Sequence, residues 1–173
     1  MRRLIIFYFS LLSLLIFSNG NLYAQASTTG HIFAEIITVF AASETSQMSF
    51  GRFAPGVQGG EIILTPQSTV SVMGSVFKGP GTHNAASFYV TGDTDAAFSI
   101  SLPSEEILLR HIGTEKTMVI KDWMSNPSPG IGTGMLQNGF QVVYVGATLM
   151  VGTLNDNPVG IYTGSYTITF DFN

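Results

Sequence analysis

The chain has 173 residues, no cysteine, only 10% charged residues and a net charge of −4, with an isoelectric point near 5.1 and a mean hydropathy of +0.33. Without cysteine there is no disulfide framework and no lipoprotein anchor, so packing and sheet hydrogen bonds must hold the fold. Beyond residue 26 only Arg52, Lys78, Arg110, Lys116 and Lys121 oppose eleven acidic residues, a net charge of −6, which excludes a phosphate-binding patch and hence a nucleic-acid partner.

The amino terminus places Arg2 and Arg3 before an apolar run over residues 4–17, followed by the small-residue pattern Ala24-Gln25-Ala26. This is the layout of a cleaved secretory signal peptide, with cleavage expected after Ala24 or Ala26. The run is shorter than the roughly 20 residues a membrane-spanning helix needs, so no membrane span is expected after processing. Residues 27–173 are then expected to form a single exported domain, in the periplasm, at the cell surface or outside the cell.

Past the signal, Gly and Pro divide the chain into short runs with a two-residue period, and no helical stripe persists. Strands are predicted over residues 31–40, 47–50, 61–64, 69–77, 86–91, 97–102, 107–112, 118–123, 140–151 and 161–172. In the run over 69–77, Val70, Val72, Gly74 and Val76 share one face, and Phe98, Ile100 and Leu102 alternate with Ser99 and Ser101. The last stretch sets Tyr162, Gly164, Tyr166, Ile168, Phe170 and Phe172 on one side against Thr163, Ser165, Thr167, Thr169, Asp171 and Asn173 on the other. Many narrow strands with one apolar face imply an all-β fold of two stacked sheets. Residues 124–139, rich in Pro and Gly, are predicted to be a surface loop.

Chemistry-bearing patterns are sparse. His31, His83 and His111 lie in separate elements, with no second ligand at metal-site spacing. Asp93 and Asp95 fit a turn better than a calcium loop, because the remaining oxygen ligands do not follow. The glycines at 130, 132 and 134 lack the Lys and the helix of a phosphate loop, and no G-x-S-x-G elbow is present. The expectation is a non-enzyme with no catalytic residues, metal or cofactor. Trp123, the only tryptophan, is expected to cap one end of the core rather than stack on a sugar. Gly51 and Gly56 are expected to bracket a turn at Pro55, while Gly146 and Gly164 suggest bulges or close backbone approach. Tyr162 and Tyr166 are expected to fill the core with their hydroxyls paired or wet, and Tyr162 also fits a tyrosine corner.

The phrase over residues 48–56, with Phe50, Gly51, Phe53 and Pro55, resembles the opening signature of a bacterial secreted family called domain of unknown function 4402. Further phrases follow in order over residues 86–92, 98–103, 144–149 (with Gly146) and 160–166 (with Gly160, Tyr162, Gly164 and Tyr166). Arg52 and Met48 depart from the usual pattern at surface positions. The resemblance implies an immunoglobulin-like sandwich similar to chaperone–usher-type pilin subunits and spore-coat-U-like proteins.

These readings lead to an exported structural subunit of a surface fimbria or coat, polymerising by strand addition through residues 30–40. Ile32, Ala34, Ile36 and Thr38 are expected to enter a neighbour's sheet, since the alternate set of Phe33, Glu35, Ile37 and Val39 carries a charge. Partners would be copies of the chain or related subunits, with a periplasmic chaperone as a further partner class. The alternative is a monomeric module that completes its own sandwich and binds carbohydrate or protein through its loops.

Overall fold

A computed structural model describes residues 2–16 and 25–172. Contacts divide the chain into two units, Met1–Glu35 and Ile36–Asn173. The first holds one helix, α1 (Arg2–Ile16), whose side chains over residues 3–13 are exposed. No helix among the described residues is long and apolar enough to cross a membrane. Of the two expected cleavage positions, Ala24 lies outside the described residues and Ala26 is exposed.

The second unit is all-β, with curled antiparallel sheets. Its strands are β1 (Ala41–Ser46), β2 (Phe53–Leu64), β3 (Val70–Lys78), β4 (Ala86–Thr91), β5 (Ala97–Ser101), β6 (Ile107–His111), β7 (Thr117–Asn126), β8 (Gly130–Met135), β9 (Phe140–Val151), β10 (Tyr162–Thr163) and β11 (Thr169–Phe172). The large sheet runs β1-β4-β9-β7-β6-β10, with β2 joining β9 and β3 joining β2; a small sheet runs β11-β5-β8.

β9 is the spine. Its first half, from Phe140 to Val145, pairs with β4, and its second half, from Ala147 to Val151, pairs with β2 along the same edge, while β7 follows the other edge. At the changeover stands Gly146, where an added Cβ would run into the Leu64 carbonyl oxygen. The close approach read from the sequence is therefore what this glycine serves.

Splitting the spine also splits the core. One cluster holds Ile62, Val76, Met118, Ile120, Ala147, Leu149 and Val151. The other holds Ala86, Val90, Phe98, Ile100, Leu136, Val143 and Val145, between the small sheet and the face of β4 and β9. Each fully buried aliphatic or aromatic side chain contributes about 1.5–3 kcal/mol. Met48 and Trp123 touch both clusters, so Trp123 lies at the seam and not at an end of the core.

Several predicted elements are corrected. Residues 124–139 are not a loop: β7 continues to Asn126, β8 follows, and Leu136 is 0% exposed. Gly134 of β8 has a packing reason, because the Phe98 ring lies where its Cβ would stand. Pro55 is inside β2, and the irregularity falls between Pro55 and Gly59, leaving Val57 exposed. β3 buries only Val76 fully, because its backbone takes φ +77° at Gly74 and the strand pairs on one side only. The run over 47–50 contributes an isolated bridge, Ser49 to Asn84, and the strand lies earlier, in β1. Residues 31–40 belong to no strand. The run over 161–172 is two short strands in two sheets.

Candidate functional site

The amino-terminal segment is an exposed, apolar-rich stretch that joins no strand. Every residue from 25 to 39 is exposed, including Ile32 at 99% and Ile36 at 100%. Phe33, Ile37 and Val39 are exposed as well, and Ala34 and Thr38 complete the alternate set. The chain first becomes partly buried at Phe40, whose ring lies 6.0 Å from Phe98 and 5.8 Å from Phe172. The Thr38 amide donates to an Asp93 carboxylate oxygen at 3.3 Å, and Asp93 accepts from the Ala96 amide in the turn expected there.

From Phe40 on, β1 and residues 162–172 flank a line of partly buried rings, the groove, and no ladder joins the two stretches. β1 pairs with β4 on one edge, and its other edge has no strand partner among the described residues. Residues 162–172 pair with β6 through β10 and with β5 through β11, and residues 164–168 between them join no ladder. Their outer edge is also free among the described residues. The alternation nevertheless persists: Tyr162, Tyr166, Ile168 and Phe170 are partly buried, whereas Thr163, Ser165, Thr167 and Thr169 are exposed.

Partly buried rings line the groove. Phe88 meets Tyr166 edge-on at 6.4 Å and Phe170 at 5.8 Å, and Tyr166 lies 4.7 Å from Trp123. Further along, Met48, Phe50, Phe53 and Tyr162 pack on the first cluster. Glu44 pairs with Phe88 in the β1–β4 ladder. Burial first, and then the Glu44 charge, push the Tyr166 phenol well above the ordinary tyrosine range. Two buried donors here, Trp123 Nε1 and Tyr166 Oη, have no hydrogen-bond partner among the described residues. Leaving such a group unpaired costs about 1–3 kcal/mol.

The remaining family-motif positions are structural. Tyr162 donates its hydroxyl to the Pro158 carbonyl at 2.9 Å, four residues upstream, which is the bonding of a tyrosine corner. Burial raises its pKa. His111 meets the Tyr162 ring edge-on at 4.9 Å, accepts the Gly113 amide at Nδ1 and lies within 3.2 Å of the Val159 carbonyl through Nε2. That imidazole fills the space over Gly160, and Gly164 approaches the Leu108 carbonyl closely. Gly51 takes φ +77° beside the Thr82 carbonyl. Phe50, Phe53 and Tyr162 thus meet in one cluster, Tyr166 in the other, and Gly146 lies on the spine. Sequence reasoning missed Glu44 and Phe88 as groove residues; the signal for them was pairing across strands, which one run's periodicity does not carry.

The opposite, outward face of β4 and β9 carries Tyr89 stacked on Phe140 at 5.5 Å, with Tyr144 further along β9. A shallow cavity of about 250 Å³ beside Phe140 is lined by Met135, Gln137, Asn138 and Gln141. No group of three or more metal-ligating side chains occurs among the described residues.

The molecule so described is an antiparallel all-β domain with a two-part core and unpaired strand edges. Residues 40–172 match the family model described as Domain of unknown function (DUF4402), and the chain belongs to that family. Comparisons with curated proteins and with solved structures give no match.

Proposed function

We propose that the protein is an exported, non-catalytic structural subunit of a surface fimbria or coat, with an immunoglobulin-like, pilin-like sandwich, joined to its neighbours by strand addition through residues 31–39. The observation that carries this reading is the segment itself: nine consecutive residues rich in Ile, Phe and Val, all of them exposed. Soluble monomers rarely leave such apolar surface uncovered. An extended peptide with alternating side chains is what an open sheet edge accepts, through main-chain hydrogen bonds and alternate pockets. A periplasmic chaperone covering the segment before assembly is part of the reading.

The test is an unheated denaturing gel, with negative-stain microscopy, of processed protein recovered from cell-surface material. A ladder that collapses on boiling, with filaments on the grid, is expected. Ile36→Asp should remove ladder and filaments while leaving the thermal midpoint of the subunit within about a degree, since exposed sites contribute within ±0.5 kcal/mol. A single monomer band from the parent chain overturns the reading.

A second reading, a surface-binding module for carbohydrate, is favoured by the Tyr89–Phe140 stack beside the amide-lined cavity. Its support would be glycan-array binding that Phe140→Ala removes.

A further inference from the structure

We infer that the outward face of β4 and β9 is a binding strip for a flat, neutral oligosaccharide chain, running along β9 from Phe140 to Tyr144 with a polar cavity at each end. This rests on the carbohydrate reading above and adds to it a second aromatic platform, a second cavity and the class of sugar chain. Phe140, Val142 and Tyr144 share one face of β9 by the two-residue alternation, and the core residues Val143 and Val145 take the other. Tyr89 on β4 pairs with Val142 and stacks on the Phe140 ring. All three rings remain exposed, Tyr89 at 38%, Phe140 at 44% and Tyr144 at 43%. Tyr89 is flanked in the ladder by Ser43 and Val142, and Tyr144 by Ser87 and Asn126. These positions therefore offer a ligand side chains and no open backbone edge.

The first cavity, about 250 Å³, lies beside Phe140 and is lined by Gln137, Asn138 and Gln141. The turn that carries it is tightly held, with φ +55° at Asn138 and +83° at Gly139 and the Phe140 amide donating to the Gln137 carbonyl. The second cavity, about 260 Å³, lies beside Tyr144 and is lined by Gln67, Ser68 and Asn126. The side-chain amides of Gln67, Asn126, Gln137 and Asn138 have no hydrogen-bond partner among the described residues, and Gln141 uses only its carbonyl oxygen, which accepts the Met135 amide. A primary amide both donates and accepts, as a sugar hydroxyl does. Aromatic rings suit the apolar C–H faces of an equatorially substituted pyranose, so rings with a few convergent amides suit such a sugar. No residue lining either cavity is charged, and the chain beyond residue 26 carries a net −6, so an anionic saccharide meets no counter-charge here. Four residues separate Phe140 from Tyr144, about 13 Å of strand. That span takes several sugars in line: a ribbon-like β-linked chain lies along it, whereas a coiled α-linked chain curves away.

The test is isothermal titration of the processed protein with four hexasaccharides. Cellohexaose and chitohexaose are the flat neutral probes, maltohexaose the coiled one and hexamannuronate the flat charged one. The expected result is saturable binding of at least one flat neutral probe, tighter than either of the others. Tyr89→Ala, Phe140→Ala and Tyr144→Ala should each weaken it about tenfold, the size of one aromatic contact. Should Tyr144→Ala fail to fold, Gln67→Ala, at an exposed turn residue, reads the same end of the strip. Binding that Phe140→Ala weakens but Tyr144→Ala and Gln67→Ala leave unchanged overturns the strip and leaves the carbohydrate reading standing. Tighter binding of maltohexaose or hexamannuronate overturns the flat, neutral class. Binding that no aromatic variant alters overturns this face as the site. Failure of all four probes to bind overturns the strip and the carbohydrate reading together.

Discussion

Residues 31–39 and residues 162–172 are both rich in apolar residues and meet opposite ends. The second alternates apolar with polar positions, whereas the first carries apolar residues on both alternate sets, at Ile32, Ala34 and Ile36 and at Phe33, Ile37 and Val39. The second is folded onto Phe88, Phe98 and Trp123 and held at its ends by β6 and β5. The first has no ladder partner and no buried side chain among the described residues. The contrast teaches that a two-residue period marks out one buried face, which apolar content without the period leaves unspecified.

The comparison breaks most severely at the floor. Phe98 is fully buried, and its ring lies 6.1 Å from Phe170 in the carboxy-terminal segment and 6.0 Å from Phe40, the residue that follows the amino-terminal one. Phe98→Ala should cost about 3–5 kcal/mol in a urea titration and raise amide exchange across residues 169–172, erasing the difference between the two segments. Gly146→Ala should cost about 1–3 kcal/mol by forcing the spine away from the Leu64 carbonyl. Its exchange should rise in β2 and β9 while residues 169–172 stay protected, which separates the two halves of the core.

The smallest effect is the most discriminating. Tyr166→Phe removes a buried, unpaired hydroxyl, so the monomer should gain about 1 kcal/mol. The phenol also gives an alkaline signature. Its folded pKa lies above the ordinary value of 10.0, so its contribution to stability is complete below about pH 10 and is lost as pH rises through the folded value. Alkaline denaturation of the parent against Tyr166→Phe should show that loss in the parent and a weaker one in the variant, where Tyr162 still contributes.

Legibility followed local physics. β4 and β9 were predicted at their observed ends, and β5 and β6 within a residue, because each has a regular period and a turn at both sides. β8 was invisible because its glycines advertise a loop, while the purpose of Gly134, room for the Phe98 ring, resides on another strand. Pro55 advertised a turn and stands in a strand, where the missing amide is tolerated beside an irregular stretch. Residues 30–40 were legible as a stretch rich in Ile, Phe and Val. The groove was not, since Glu44, Phe88, Trp123 and Tyr166 come together only through pairing across four distant stretches of chain.

The position of Trp123 gives the chain a built-in optical gauge. With one indole in 173 residues, seated where the two core clusters meet and against the Tyr166 ring, all tryptophan emission originates from the groove floor. Its wavelength follows the wetness of that single spot, so a dry, covered seam emits to the blue of an open one, and the colour of the protein's own light follows whether the groove is filled.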